Sequence, residues 1–249
     1  MSGLFGSLNL WFADLKEEFI FNFIDGNRWK YITNGLLVTL EVTFFALLIG
    51  ILIGVTVAMI RSTYDKNADD MYPGFGKAVF KLANTIAKIY LTIIRGTPVV
   101  VQLLIGYFVI FVSSTNTVFV ASMVFGINSG AYITEIIRSG IMSIDPGQFE
   151  AGRSLGFNYF ETMRYVIIPQ AFKNVLPALA NEFIALLKET AVCGYIGLMD
   201  LTKGGDVIRG RTFSAFMPLI AVALIYLMLV MFFTWLVGKL ERRLRSSER

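Results

Sequence analysis

The sequence predicts an all-α, polytopic integral membrane protein with five transmembrane helices. Hydrophobic residues make up 55% of its 249 residues, and the mean hydropathy is +0.65. These apolar residues are gathered into long runs, and a helix needs roughly 20 mostly apolar residues to cross a bilayer. Polar segments with turn residues separate the runs. The five predicted spans are residues 33–60, 89–112, 118–137, 175–198 and 214–238.

Three of these runs predict a span directly. The last run contains no charged residue, the first contains only Glu41, and the third carries Glu135 near its end. A charge near the bilayer centre costs about 2.5 to 3.5 kcal/mol on insertion scales, so Glu41 is expected to face protein or water. Alternatively, Glu41 lies at shallow depth near the outer interface. Small residues spaced by three or four predict close helix packing, at Thr39, Thr43, Ala46, Gly50, Gly54 and Ala58 and at Ser122, Gly126 and Gly130.

The second and fourth runs are interrupted by polar residues. Residues 95–98, Arg-Gly-Thr-Pro, divide the second run, and Pro98 predicts a kink because it removes a backbone donor. The fourth run contains Glu182, Lys188 and Glu189. We predict that it is a span because the topology requires one there. Exposing such a helix to lipid is costly, so it is expected inside the bundle.

Basic residues predict the orientation of the chain. Five spans place the two ends on opposite sides, and the side holding residues 61–88, 138–174 and 239–249 is the richer in Lys and Arg. This side is expected to be cytoplasmic, with the N-terminus outside and the C-terminus inside. The domains are then a segment 1–32, a transmembrane domain 33–238 with a cytoplasmic loop 138–174, and a basic tail 239–249. Residues 1–32 resemble an interfacial segment in which Trp11 and Phe12 face lipid.

The composition excludes several kinds of chemistry. Histidine is absent and Cys193 is the single cysteine, so no intrachain disulfide and no ordinary metal site is expected. No catalytic residues, no bound cofactor and no nucleic-acid partner are predicted. An intramembrane enzyme is therefore unsupported, because no activated Ser or Cys arrangement is present. A channel or a secondary transporter that needs no ATP remains open.

The polar stretch at residues 145–169 predicts two short helices joined by a fixed corner. Asp145 is a favoured N-cap and Pro146 a favoured first helical residue, so the first helix is expected from Pro146 to about Leu155. Gly156 is placed to end it in a left-handed conformation.

The second helix has signals of its own. Asn158 is placed to cap it, and Glu161 completes a capping box. It is expected to end just before Pro169, because proline disfavours a helical conformation in the preceding residue. Alternatively, these signals mark only an ordered loop that binds no partner protein.

Four stretches resemble the inner-membrane subunits of bacterial ABC importers, and among them the polar amino acid permeases. The first is Glu-Ala-Ala, three residues, Gly, nine residues, Ile-x-Leu-Pro, which here begins at Glu150 and ends at Pro169. This sequence departs from it at Gly152, Val166 and Ile168. The others are "IRGTPVVVQL" at 94–103 with "SGAYITEIIRSGIMSIDPGQFEAGRSLG" at 129–156, and "LLKETA" at 186–191. The resemblance covers residues 33–238.

The resemblance implies a type I importer permease fold and a set of partners. These are a dimer of ATPase subunits that hold ATP and Mg, a second permease chain, an extracytoplasmic substrate-binding protein, an amino-acid substrate and membrane lipid. No G-x-x-x-x-G-K-[ST] motif occurs here, so the ATPase is another chain. Glu150 is expected to pair with a basic residue of the ATPase, and Ala151 and Gly152 to permit its close approach. The predicted coupling residues are Gln148, Glu150, Ala151, Gly152, Gly156 and Pro169.

Polar residues within the spans are candidates for the substrate pathway. Glu135 and Arg138 are three residues apart and are expected to pair. Glu182 and Glu189 are seven apart and share a helix face. Structural ion pairing, or a kink anchored by a snorkelling Arg95, is the alternative interpretation. The pathway candidates are Glu41, Arg95, Thr97, Pro98, Gln102, Tyr132, Glu135, Glu182, Lys188 and Glu189.

Overall fold

A computed structural model describes residues 14–67 and 74–246, and the regular elements in these residues are helical. The predicted all-α class is therefore confirmed, whereas Trp11 and Phe12 lie outside the described residues. The ten α-helices of the described part are α1 (residues 14–19), α2 (Trp29–Asn67), α3 (Phe75–Gly96), α4 (Val99–Ile105), α5 (Thr117–Met142), α6 (Pro146–Ser154), α7 (Tyr159–Thr162), α8 (Ile168–Glu189), α9 (Leu201–Thr212) and α10 (Phe216–Ser246). π-Helical turns at Ile20–Ile24, Gly106–Ile110 and Met163–Ile167 and 3-10 turns at Asp25–Asn27 and Thr190–Ile196 complete the described helical elements.

The number of spans differs from the predicted five. Three described helices are long and apolar enough to cross a membrane, at Trp29–Lys66, Thr117–Met142 and Phe216–Leu244. The pair Phe75–Gly96 and Val99–Ile110 makes a fourth if the two helices form one broken span. The predicted span 175–198 is not among these helices. Its helix α8 ends at Glu189, and the chain continues as a 3-10 turn.

The second predicted span is broken rather than kinked. Its two helices meet at 110°, with Thr97 extended and Pro98 serving as the N-cap of α4. The side-chain amide of Gln102 donates to the Ile94 carbonyl at 2.7 Å and to the Thr97 hydroxyl at 2.8 Å. These bonds fix the break, since they satisfy backbone acceptors that the helix ends leave free.

Helix α5 lies at the centre of the bundle and packs most closely on α2. Glycines make this contact possible: a Cβ on Gly54 would lie 2.4 Å from Cγ2 of Ile133. A Cβ on Gly126 would lie 2.6 Å from Cβ and Cγ2 of Ile49. We call this contact the α2–α5 seam, and it confirms the close packing predicted from the small residues. In contrast, α10 is largely exposed, with 11% of its most apolar window buried against 67% for α5.

Helix α3 packs against both α2 and α5. The rings of Tyr64 and Phe80 are 5.8 Å apart, and Arg61 donates to Asn84 at 3.1 Å. Further along α3, the Tyr90 hydroxyl donates to the Ile127 carbonyl at 2.6 Å. The helix therefore starts beside the C-terminal end of α2 and reaches the middle of α5 before the chain turns into α4.

Helix α9 packs at the opposite end of α2. A Cβ on Gly204 would lie 2.4 Å from the Tyr31 carbonyl oxygen, so the two backbones are in direct contact. On the outer face of α9, Lys203 and Arg209 flank Asp206. Their hydrogen bonds hold the pKa of the Asp206 carboxyl below its usual value.

Candidate functional site

The first arm of the corner at residues 145–169 is a short helix with both ends capped. The Asp145 carboxylate accepts from the Gly147 N–H at 2.7 Å, and Pro146 begins α6, as predicted. At the other end, Gly156 has φ of 83° and donates to the Arg153 carbonyl at 2.9 Å. The Phe157 N–H donates to the Gly152 carbonyl at 3.0 Å. This pair of bonds is a Schellman motif, and it confirms the left-handed end predicted at Gly156.

The second arm begins with the predicted capping box. The Asn158 side chain accepts from the Glu161 N–H at 3.0 Å, and the Glu161 carboxylate accepts from the Asn158 N–H at 2.8 Å. Only one residue, Phe157, separates Gly156 from Asn158. The two caps are therefore almost contiguous, and they fix the angle between the arms locally.

The predicted end of this arm before Pro169 is wrong. The chain stays helical from Tyr159 to Glu189, and Pro169 lies in the first turn of α8. The π-turn at Met163–Ile167 explains this, because its wider bond runs from the Ile168 N–H to the Met163 carbonyl. This local change in the hydrogen-bond pattern gives the proline ring room where a regular turn would clash.

The two arms of the corner touch at Gly152. This residue is buried, and a Cβ built on it would lie 2.7 Å from Cγ2 of Thr162. Thr162 cannot easily rotate away, because its hydroxyl donates to the Asn158 carbonyl at 2.9 Å. The close approach that Gly152 permits is therefore one between the arms themselves. Approach of a partner at this residue, predicted from sequence, stays a prediction.

The other predicted coupling residues lie on the surface of the corner. Glu150, Ala151, Gly156 and Pro169 are exposed, and Gln148 is half-buried and accepts from the Gln170 amide at 3.2 Å. Large apolar side chains share this surface: Leu155 is 74% exposed, Phe160 75% and Tyr165 62%. We call these three side chains the corner patch.

The corner is held against the bundle from the other side. Ile141 and Ile144 form a buried cluster with Ile167 and Ala171. The ammonium group of Lys66, at the end of α2, lies 2.9 Å from the centre of the Phe149 ring. These contacts join both arms to α2, α5 and α8, so the corner is packed as part of the bundle.

A polar cluster inside the bundle brings two pathway candidates together. The Glu182 carboxylate accepts from the Ser129 hydroxyl at 2.7 Å, and the Gln102 carbonyl oxygen accepts from the Asn128 amide at 2.9 Å. Asn128 and Ser129 are buried neighbours on α5, and they were missing from the sequence-predicted set. Two adjacent polar residues between Gly126 and Gly130 were the signal that could have found them.

A second cluster is ionic. Arg95 lies 3.7 Å from Glu135 and over the ring of Tyr132, at 5.8 Å from its centre. Glu135 also lies 3.8 Å from Arg138, which confirms the predicted pair. Arg138 in turn binds Asp65 at 2.6 Å, a contact between distant parts of the chain that spacing could not predict.

Thr97 is joined to the first cluster, because its hydroxyl accepts from the Gln102 amide at 2.8 Å. Of the other pathway candidates, Glu41 and Lys188 are exposed, Glu189 is half-buried, and Pro98 is exposed at the helix break. Within residues 14–67 and 74–246, no group of carboxylates or thiols is arranged to hold a metal ion.

Relatives of known name show where this architecture belongs. A family model described as a binding-protein-dependent transport system inner membrane component matches residues 74–246. A putative glutamine transport system permease protein of Rickettsia bellii is 37% identical, over 87% of this chain and 94% of the relative. The arginine transport system permease protein of Bacillus subtilis is 34% identical, over 88% of this chain and 94% of the relative.

A solved structure has the same fold. It is described as the crystal structure of an amino acid ABC transporter with histidines, and it superposes with a TM-score of 0.77 at 40% identity. The match covers 89% of this chain and 98% of the solved chain. The chain is therefore a member of the family of binding-protein-dependent transport system inner membrane components, the non-enzymatic permease subunits of ABC importers.

Proposed function

We propose that this chain is the permease subunit of an ATP-driven importer of a polar amino acid, and that residues 145–169 couple it to a separate ATPase. The observation that carries the coupling role is the doubly capped corner with its exposed corner patch. The patch is apolar, and the charged side chains of Glu150, Arg153 and Arg164 are exposed on the same corner. Exposed aromatic and apolar side chains accompanied by charged ones are the usual composition of a protein-binding surface.

Coupling of the ATPase to the permease requires this segment to be rigid. When the ATPase subunits close on ATP and Mg, their displacement reaches the permease only through a segment that does not deform. The hydrogen bonds of the Schellman motif at Gly156 and of the capping box at Asn158 restrict the backbone conformation of the corner. Its buried cluster then transmits the movement to α5 and α8.

Exposed charge on α2 supports a second permease chain. Glu41 lies in an apolar helix, and its side chain is exposed while Thr39 and Thr43 beside it are buried. A carboxylate facing lipid would be costly at this depth. A second permease chain, or a water-filled path between two chains, would cover Glu41. The basic residues favour a cytoplasmic corner and C-terminus, with the substrate-binding protein on the side of α9.

The polar cluster around Glu182 suggests how an amino acid is bound. A free amino acid carries an ammonium group, which a carboxylate binds with a charge-assisted hydrogen bond. Glu182 accepts from Ser129 on the central helix α5, and the neighbouring Asn128 of α5 donates to Gln102 of α4. The relatives named for glutamine and arginine transport support a polar amino acid as substrate.

The coupling role is tested with Gly156→Val in the complete transporter reconstituted in liposomes. A β-branched residue in the left-handed region costs about 1–2 kcal/mol or more, so the corner adopts another geometry. We expect ATP hydrolysis to continue while uptake per ATP falls at least about tenfold, which is the loss of about 1.4 kcal/mol of coupling. Uptake and phosphate release are measured on the same liposomes.

The matched control is Gly76→Val. Gly76 is an exposed glycine of α3 with an ordinary φ, and no described atom lies within 4 Å of its Cβ position. The control is expected to transport normally. Normal coupling in Gly156→Val, or uptake by the unchanged transporter without ATP, would contradict the proposed function.

The substrate site is tested with Glu182→Gln. Glutamine keeps the shape and accepts from Ser129 but lacks the negative charge, so amino-acid uptake is expected to fall by a factor of about 10 or more. ATPase binding is expected to be unchanged, because Glu182 lies far from the corner. Unchanged uptake and an unchanged apparent KM would exclude Glu182 from substrate binding.

A further inference from the structure

Helix α3 presents three distinct faces. One face, with Asn84, Ala87 and Leu91, is buried against α2 and α5. A second face is an exposed apolar stripe with the spacing of one helix side, formed by Phe75, Val79, Leu82, Ile86, Ile89 and Ile93. Between them runs a basic face that carries Lys77, Lys81, Lys88 and Arg95. An amphipathic helix of this kind lies along the interface of a membrane.

A cavity opens where the basic face meets α2 and α5. Its volume is about 460 Å³, and Arg61, Lys88, Thr92, Arg95 and Glu135 contribute to its lining. Three of these side chains are cationic and one is anionic, so the lining carries a net formal charge of +2. Glu135 is also shared with Arg138, outside the lining. The cavity therefore attracts an anion.

Arg61 contributes to the cavity lining and also carries a buried donor without a partner. Its Nη1 donates to the buried Asn84 side chain at 3.1 Å, which fixes the guanidinium group against α3. Its Nε–H is buried and has no acceptor among the described residues. A buried donor without an acceptor costs free energy, and an anionic oxygen that reached this group from the cavity would offset that cost.

We propose that this cavity binds the phosphodiester headgroup of an anionic phospholipid, from the leaflet on the corner's side of the membrane. The phosphate oxygens would accept from Arg61, Lys88 and Arg95. The acyl chains would lie along Ile89 and Ile93, which are 53% and 56% exposed. These apolar neighbours of Lys88 and Thr92 favour a lipid over a free phosphate ion, which would leave the stripe uncovered.

The site is tested by measuring phosphatidylglycerol bound to the purified transporter. Native mass spectrometry counts the lipids retained after exchange into phosphatidylcholine nanodiscs containing increasing phosphatidylglycerol. Lys88→Gln removes one cation from the cavity and is expected to weaken phosphatidylglycerol binding about fivefold, the effect of one cation near an anionic headgroup. Lys81→Gln is the matched control, since Lys81 lies on the same basic face two turns away and outside the cavity lining. It is expected to change binding little.

A second variant keeps the charge and tests the donor. Arg61→Lys retains a cation but removes the Nε–H, and it is expected to weaken binding as well; it replaces Lys88→Gln if that variant does not fold. Equal retention of phosphatidylcholine and phosphatidylglycerol would overturn the proposal, and so would equal lipid binding by the control and both cavity variants. Displacement of bound lipid by inorganic phosphate at physiological concentration would identify a free-anion site and would also overturn it. Each result is independent of uptake and therefore of the proposed coupling role.

Discussion

The α2–α5 seam and the corner at residues 145–169 both depend on glycine, for different physical reasons. At the seam, Gly126 has an ordinary φ but no room for a side chain, because Ile49 occupies the space. At the corner, Gly156 has no described atom within 4 Å of its Cβ position but a φ of 83°. The seam therefore requires a residue of small volume at Gly126, whereas the corner requires a residue that adopts a left-handed backbone conformation at Gly156. Damage to the seam should therefore unfold the bundle, and damage to the corner should leave it folded.

The largest effect is expected from Gly126→Val. A Cβ at this position would lie 2.6 Å from Ile49 and 3.1 Å from the Ala46 carbonyl oxygen, so two backbones must separate. Overpacking of a core costs about 1–3 kcal/mol and sometimes more, and it falls here on the central helix. We expect a loss of monodisperse protein and a lower Tm in detergent, measured by size-exclusion chromatography and thermal unfolding.

Gly238→Val provides the comparison for this variant. Gly238 lies on α10, and its Cβ position has no described atom within 4 Å. It is expected to leave the Tm unchanged. A Tm of Gly126→Val equal to that of the unchanged protein would mean that the seam is not closely packed, and the contrast with the corner would disappear.

An intermediate effect on transport is expected from Gly152→Ala. This residue lies in the corner, as Gly156 does, but it is restricted by volume, as Gly126 is. Its Cβ would lie 2.7 Å from Cγ2 of Thr162. Alanine stands here in the importer motif, yet in this chain it should push the arms apart and lower uptake severalfold without lowering the Tm of the bundle. Uptake in liposomes is the measurement.

The double variant Gly152→Ala with Thr162→Ala separates volume from helix propensity. Removing the Thr162 side chain beyond Cβ makes room for the new methyl group, so uptake is expected to recover in part. The coupling between the two substitutions is obtained from a double-mutant cycle. Additive effects would show that the arms do not touch at this point.

The smallest effect is expected from Asn158→Ala. This change removes the N-cap of the second arm and typically costs about 1 kcal/mol of local stability. Amide hydrogen exchange in α7 should accelerate, whereas exchange in the seam should not. Ser154→Ala is the control, because its hydroxyl bonds only the Glu150 carbonyl within its own helix. Unchanged exchange in Asn158→Ala would show that the capping box does not hold the corner.

The corner was largely predictable because its signals are local. Asp145, Gly156, Asn158 and Glu161 each act on residues no more than a few positions away, so their order in the chain determines the caps. The prediction at Pro169 was wrong because it used local signals alone. The π-turn that accommodates Pro169 ends at Ile167, which is buried in the bundle, and no local signal marks that turn.

The polar contacts inside the bundle were less predictable because the partners are distant in sequence. Glu182 was predicted to be functional, but its bond to Ser129 spans 53 positions and that of Arg138 to Asp65 spans 73. The fourth run was also hard to predict, because its charged residues lower its hydropathy and its helix ends at Glu189, nine residues before the predicted end of the span.

The continuous helical segment from Tyr159 to Glu189 has a mechanical consequence. One end lies in the corner and Glu182 lies near the other, so a rotation at the corner moves Glu182 as far as the π-turn at Met163–Ile167 and Pro177 keep the segment straight. At a rise of about 1.5 Å per residue, a tilt of roughly 10° at the corner swings Glu182 by about 6 Å. That displacement is longer than a hydrogen bond. A rotation of this size at the corner would therefore be enough to break the hydrogen bond that the Glu182 carboxylate accepts from Ser129.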